Sequence, residues 1–348
     1  MVELIPHPDP LGLPVPPSIL LALKVLGFVL HMIFMHLWLA GLPAALLLLY
    51  FRRRAAERLF TAMPFFMAFG INAGIVPLLF IQTLYPQFFY PATILQAWFW
   101  FLVIPLLIVA YYGVYLAAFD RFRLAAGLLA SLLLLWIGLT FSASMTLLAA
   151  PERWPAIFLA TSEAGAVHGM FLALPGEAFL RFLLMAGMAC GTVGAFLAVD
   201  AQWFAQDSDD ASGTRGIVML LYGLGLVIYG TAASQYAPMV EDKLPVLWRI
   251  LAGAGMPAAT LLAMVYWRWA GKATGAALIA AQIFVISSNA IARQMVQSQD
   301  LKKWIDIEKI PVRGEWGSFL LFGLTLVIAL GVLAWIAHLA LRRPRPAA

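Results

Sequence analysis

The chain has 348 residues, 63% of them apolar and 11% charged, with a mean hydropathy of +0.91 and a formal net charge of +5. Soluble domains run near ~45–50% apolar and ~25% charged, so water-soluble and disordered folds are excluded, and the 22 Lys and Arg do not gather into a nucleic-acid-binding patch. A single cysteine, Cys190, excludes an intrachain disulfide, a CxxC zinc knuckle and a CxxCH haem-attachment site.

An all-α polytopic membrane protein remains. A bilayer core about 30 Å thick takes about 20 apolar residues per helix. In chain order, such runs predict nine transmembrane helices, at about 18–50, 60–84, 92–118, 122–149, 178–203, 214–236, 246–270, 274–296 and 316–341. The first is longer than a crossing needs and should tilt, kink at Pro43 or protrude. The domain plan is an outer Pro-rich arm (1–17), one transmembrane domain (18–341) and a basic cytoplasmic tail (342–348). The arm lacks the basic n-region of a signal peptide, so helix one is expected to stay in the mature protein.

Basic residues set the expected orientation. With the N-terminus outside, the inner side collects Arg52, Arg53, Arg54, Arg58, Arg121, Arg123, Arg215, Arg268, Lys272, Arg342, Arg343 and Arg345. The outer side then carries the arm, the turn Tyr85-Pro86-Gln87 and segments 150–177, 235–248 and 297–315. Among the 17 acidic residues, Glu57, Asp120, Asp200, Asp207, Asp209 and Asp210 fall at or beyond inner ends and the rest outside, so no carboxylate is expected mid-membrane. That argues against a proton pump or a cation-coupled transporter, since charge inside the bilayer is kept only where it functions.

Two titratable residues are read deep within a span, His31 and His36 of the first helix. Five residues apart is about 140° of net rotation, so the imidazoles point to different sides and cannot clamp one metal together. One reading is axial ligation of haem iron by neutral imidazole; the other is hydrogen bonding to neighbouring helices. His168 falls in the outer segment Glu163–Met170, where a solvated or loop-capping role is the simpler reading. His338 is expected to snorkel and His7 to be solvated.

The run His31-Met-Ile-Phe-Met-His-Leu-Trp-Leu-Ala-Gly resembles the first helix of subunit I of the cytochrome bd quinol oxidases. Further similar segments follow in order: Phe69–Val76, Gly138–Leu148, Arg181–Phe196, Trp248–Gly253 and Ala292-Arg293-Gln294. The resemblance implies a bd subunit I-like bundle in a bacterial-type inner membrane. It also implies a haem b, about one, with His31 as iron ligand and His36 or His168 as second candidates. Departures from the pattern matter equally. The third-helix glutamates are absent from 95–105; the fifth-helix His falls at Leu184 or Met185; the seventh-helix Met falls at Leu251; Ser287, Ser288 and Asn289 stand where an eighth-helix Glu belongs. The outer quinol loop is cut to about 235–248.

A competent terminal oxidase is therefore not expected from this chain alone. The expected function is a bd-like membrane subunit of a respiratory electron-transfer complex, passing electrons between the quinone pool and an extracytoplasmic redox partner. Its companions would be other membrane and extracytoplasmic redox subunits, such as multihaem c-type cytochromes, with quinol binding open. The alternative is a haem-free anchor or scaffold that has lost the oxidase chemistry; a transporter is a third class, disfavoured by the absence of an inverted repeat. Outer-side aromatics (Tyr85, Phe88, Phe89, Tyr90, Trp154, Tyr236, Trp248) are candidates for docking a partner or quinol, or for an interfacial belt.

Overall fold

The computed structural model describes residues 5–8, 10–51, 54–204 and 208–342. Glu3, Asp9, Arg52, Arg53, Asp207, Arg343 and Arg345 lie outside the described residues, as do the side chains of Asp209, Asp210, His338 and Arg342. In lipid every backbone polar group must be satisfied within its own segment, and the apolar runs fold accordingly. The helices are α1 (Pro17–Leu39), α2 (Gly41–Tyr50), α3 (Arg54–Leu84), α4 (Pro86–Gln96), α5 (Trp98–Phe101), α6 (Val103–Ala118) and α7 (Arg123–Leu148). They continue as α8 (Trp154–Thr161), α9 (Pro175–Trp203), α10 (Ser208–Val240), α11 (Val246–Arg268), α12 (Lys272–Lys302) and α13 (Trp316–Arg342). A two-residue hairpin, β1 (Ser162–Glu163) with β2 (Ala166–Val167), lies between α8 and α9.

Among the described residues, eight helical stretches are long and apolar enough to cross a membrane, and the described start of α13 is apolar as well. In order they match the nine predicted runs. The protein is a multi-pass, all-α membrane bundle.

Two spans depart from straight helices, each for a local reason. Pro43 has no N–H for the Leu39 carbonyl, and the helix of the long first span is interrupted at Ala40, between α1 and α2. The run read as one helix over 92–118 is instead broken at Ala97, which takes φ 44°, ψ −113°, and again at Leu102. Pro105 cannot bond the Phe101 carbonyl, which accounts for the second interruption. The crossing is therefore Trp98–Ala118, while α4 packs across one end of the bundle.

Packing divides the bundle. α1 lies along α3, and α6 packs on α7 and α3; α9 lies against α10 and α12, and α11 against both of those. Met32, Trp38, Leu59, Met63, Val114 and Leu134 fill the first core, and Met188, Val193, Tyr222, Tyr229, Met256 and Val285 the second. α1 also touches α9 and α12, so its two sides face different cores. Large apolar side chains exposed on many helices, such as Phe65 and Leu79 of α3 and Leu261 of α11, face the lipid.

Contacts between loops gather at the two ends of the bundle. At one end the arm pairs with the segment before α13, Leu13 N–H donating to the Pro311 carbonyl at 2.8 Å. Lys243 pairs with Asp300 at 2.7 Å and Lys303 with Glu152 at 3.6 Å there. At the opposite end Arg58 clamps Asp200 (2.7 Å) and Arg123 pairs with Glu57 (2.6 Å).

Candidate functional site

His31 faces α3. Its Nδ1 lies 2.8 Å from the backbone oxygen of Gly70. A carbonyl only accepts, so Nδ1 carries the hydrogen, and in the neutral ring Nε2 keeps its lone pair. The ring sits over Gly74, where an added Cβ would stand 2.8 Å from both His31 Cε1 and Nδ1. Glycine at 74 is thus what lets the imidazole lie against α3. The edge of Trp38 meets the same ring, with centroids 6.3 Å apart.

His36 faces the other core and is 0% exposed. Its Nδ1 is 3.1 Å from Thr192 Oγ1 on α9. Thr192 Oγ1 donates to the Met188 carbonyl at 2.9 Å. Gln282 of α12 donates from Nε2 to that carbonyl (3.0 Å) and to Thr192 Oγ1 (3.2 Å). Tyr222 of α10 closes the group, its hydroxyl donating to Gln282 Oε1 at 3.4 Å. Gly191 makes the approach of Gln282 possible, since a Cβ there would stand 2.9 Å from Gln282 Oε1. His36 Nε2 is buried without a hydrogen-bond partner.

The two imidazoles thus stand on different sides of α1, as their spacing predicted. His168 is not brought to either. It lies exposed after β2, its backbone N–H donating to the Thr161 carbonyl at 2.9 Å. Among the described residues no group of three or more His, Cys, Asp or Glu could hold a bare metal ion. A haem needs fewer protein ligands, because it brings its own equatorial nitrogens and takes one or two axial ligands from the protein, beside a pocket for its ring. A neutral imidazole fixed through Nδ1 with Nε2 free is the donor such an iron takes, and both His31 and His36 fit that description.

The reading of deep titratable groups omitted two cations. Lys24, inside α1 and 3% exposed, donates to Gln297 Oε1 of α12 at 2.7 Å and lies 5.6 Å from the centre of the Tyr85 ring. Arg293 of α12 stacks over Phe28, 4.5 Å from its centroid. A Lys eight residues into an otherwise apolar run was the available signal for the first. The carboxylate expectation holds for the described residues: Glu57, Glu177, Asp200 and Asp300 all sit within the first or last turns of their helices.

The outer aromatics require a correction. Tyr85, Phe88, Phe89 and Trp154 are buried in the core that closes the end of the bundle, with Leu147, Leu148, Ile307 and Ile310. They are not free to dock a partner; Tyr90 is exposed. The positions at which the family resemblance looked for further haem ligands hold Leu184 and Met185, packed among the apolar residues of the second core. Asn289 accepts from the Tyr229 hydroxyl at 2.8 Å. Gln96, in the stretch without glutamates, is 0% exposed and accepts from Ser144.

No protein-family model matches the sequence, and no curated protein sequence does. The fold itself is similar to a solved structure, "The structure of bd oxidase from Geobacillus thermodenitrificans", with a TM-score of 0.64 at 12% identity over 95% of this chain and all of that one. The chain carries the fold of a bd oxidase chain.

Proposed function

We propose that this chain is a membrane subunit of a quinol-linked respiratory electron-transfer complex and that it holds about one b-type haem through His31. The observation that carries the reading is the 2.8 Å hydrogen bond from His31 Nδ1 to the Gly70 carbonyl, set in a fold like that of a bd oxidase chain. Iron in a bound haem would supply the redox couple. His31 would hold it at Nε2, and Gly70 and Gly74 would orient the ring. Electrons would pass between the quinone pool and an extracytoplasmic partner, such as a multihaem c-type cytochrome, with the N-terminus outside and the C-terminus cytoplasmic. Dioxygen reduction consumes protons, and no acid of the described residues lies within the middle of a span to deliver them. The chain is proposed to act within a complex rather than as a terminal oxidase by itself.

One observation favours the second reading, a haem-free scaffold. Apolar Leu184 and Met185 pack into the core where the resemblance expects an iron ligand. A reduced-minus-oxidised spectrum of the purified complex separates the two. The haem reading expects b-type bands that fall by about one haem per chain on His31→Ala; the scaffold reading expects no band from this subunit.

A further inference from the structure

His36 presents an unusual account of protons. Thr192 has one hydroxyl hydrogen, and it goes to the Met188 carbonyl at 2.9 Å. Gln282 spends both amide hydrogens, on that carbonyl at 3.0 Å and on Thr192 Oγ1 at 3.2 Å. The Tyr222 hydroxyl, donating to Gln282 Oε1, fixes which end of the amide is which. With the Thr192 hydrogen on the Met188 carbonyl, Thr192 Oγ1 offers lone pairs to His36 at 3.1 Å. In that arrangement His36 donates from Nδ1, and the neutral ring keeps a bare lone pair at Nε2. That atom is buried and has no partner, although an unpaired buried acceptor loses its hydration without return. A histidine kept only for packing would gain by turning its acceptor toward a donor; here α9 supplies an acceptor, Thr192 Oγ1, to the other nitrogen, and Gln282 of α12 bonds that same oxygen.

We propose that His36 is a second ligand position on α1, and that Thr192 and Gln282 are positioning residues that hold its ring as the Nδ1–H tautomer so that Nε2 is free for a haem iron. The proposal rests on the haem reading above but on a different histidine. Its supports, on α9, α10 and α12, share nothing with the α3 contacts of His31. Hydrogen bonding of the distal ring nitrogen is what fixes the tautomer and basicity of a metal-bound imidazole, and loss of such a partner costs about 10- to 100-fold in metal affinity.

Two measurements on the full chain test it. In the haem-free chain in lipid nanodiscs, nitrogen-15 NMR of labelled histidine should show His36 protonated at Nδ1 and bare at Nε2. Thr192→Val should lose that preference and Thr192→Ser should keep it. In the purified complex, His36→Ala should remove a haem signal or convert it to a five-coordinate spectrum. Thr192→Val should weaken haem retention by about 10- to 100-fold, and Thr192→Ser should restore it. A proton found on Nε2 in the unsubstituted chain overturns the proposal. So does a haem spectrum that His36→Ala leaves unchanged, the result expected if Nε2 meets only a buried water. If His31→Ala abolishes the bands while His36→Ala leaves them unchanged, the haem reading stands and this one falls. A complex that holds no haem removes both.

Discussion

At position 74 a methyl group would stand 2.8 Å from two atoms of the His31 ring, closer than carbon atoms pack. Gly74→Ala must turn the imidazole and give up its bond to the Gly70 carbonyl. The expected outcome is a b-type signal from this subunit reduced at least tenfold while the protein remains folded, read from the difference spectrum beside a circular dichroism scan. Gly191→Ala tests a similar approach in the other core, where the added methyl meets the side-chain amide of Gln282. The histidines were legible in the sequence as polar interruptions of an apolar run, and 140° of rotation placed them on opposite sides. Their partners were not. Thr192 and Gln282 lie 156 and 246 positions from His36 along the chain, and nothing in a single sequence says which α9 threonine an α1 histidine meets. Lys24 was visible but was passed over, its charge submerged in a run whose mean is strongly apolar.

Among the elements, α3 and α9 are joined at one end by the Arg58 fork, whose Nε lies 3.0 and 2.8 Å from the two carboxylate oxygens of Asp200. Asp200 is 4% exposed, and Asp200→Ala removes its charge-assisted hydrogen bonds to Arg58, whose side chain is 24% exposed. A loss of about 1.5–3 kcal/mol is expected, read as a lower melting temperature in detergent; an unchanged transition would show that the clamp contributes nothing. Asp200 was correctly read at a helix end, but its Arg58 partner was not anticipated, again because the pair spans 142 positions. Helix breaks were partly legible. Pro43 announced the interruption at Ala40, whereas the break at Ala97 had no proline or glycine to mark it and arises where α4 turns to cap the bundle. The same turn explains why Tyr85, Phe88 and Phe89, read as an aromatic fringe, are core. A helix lying across the end of a bundle and one continuing through it share the same hydrophobic composition.

For the whole molecule, loops sorted by charge in the sequence do gather at common ends. The arm meets the segment before α13, and Lys243, Asp300, Lys303 and Glu152 cluster nearby. Which end faces out is a prediction. Cys190 is buried, so a single introduced thiol reports alone: Glu163→Cys on the hairpin should label with an impermeant maleimide in intact cells, and Asp120→Cys only after permeabilisation. The reverse pattern would invert the orientation. Fold was the most legible level, since apolar run length in a bilayer leaves little choice but helices, and at 12% identity the similarity to a bd oxidase chain lies in the arrangement of helices rather than in residues. Chemistry was less so, because the same bundle accommodates both a haem ligand and a satisfied membrane histidine.

The direct test is therefore the reduced-minus-oxidised spectrum of the complex carrying His31→Ala and His36→Ala together. Disappearance of the b-type bands assigned to this chain is the predicted result. Bands that persist at full intensity would contradict iron held by α1.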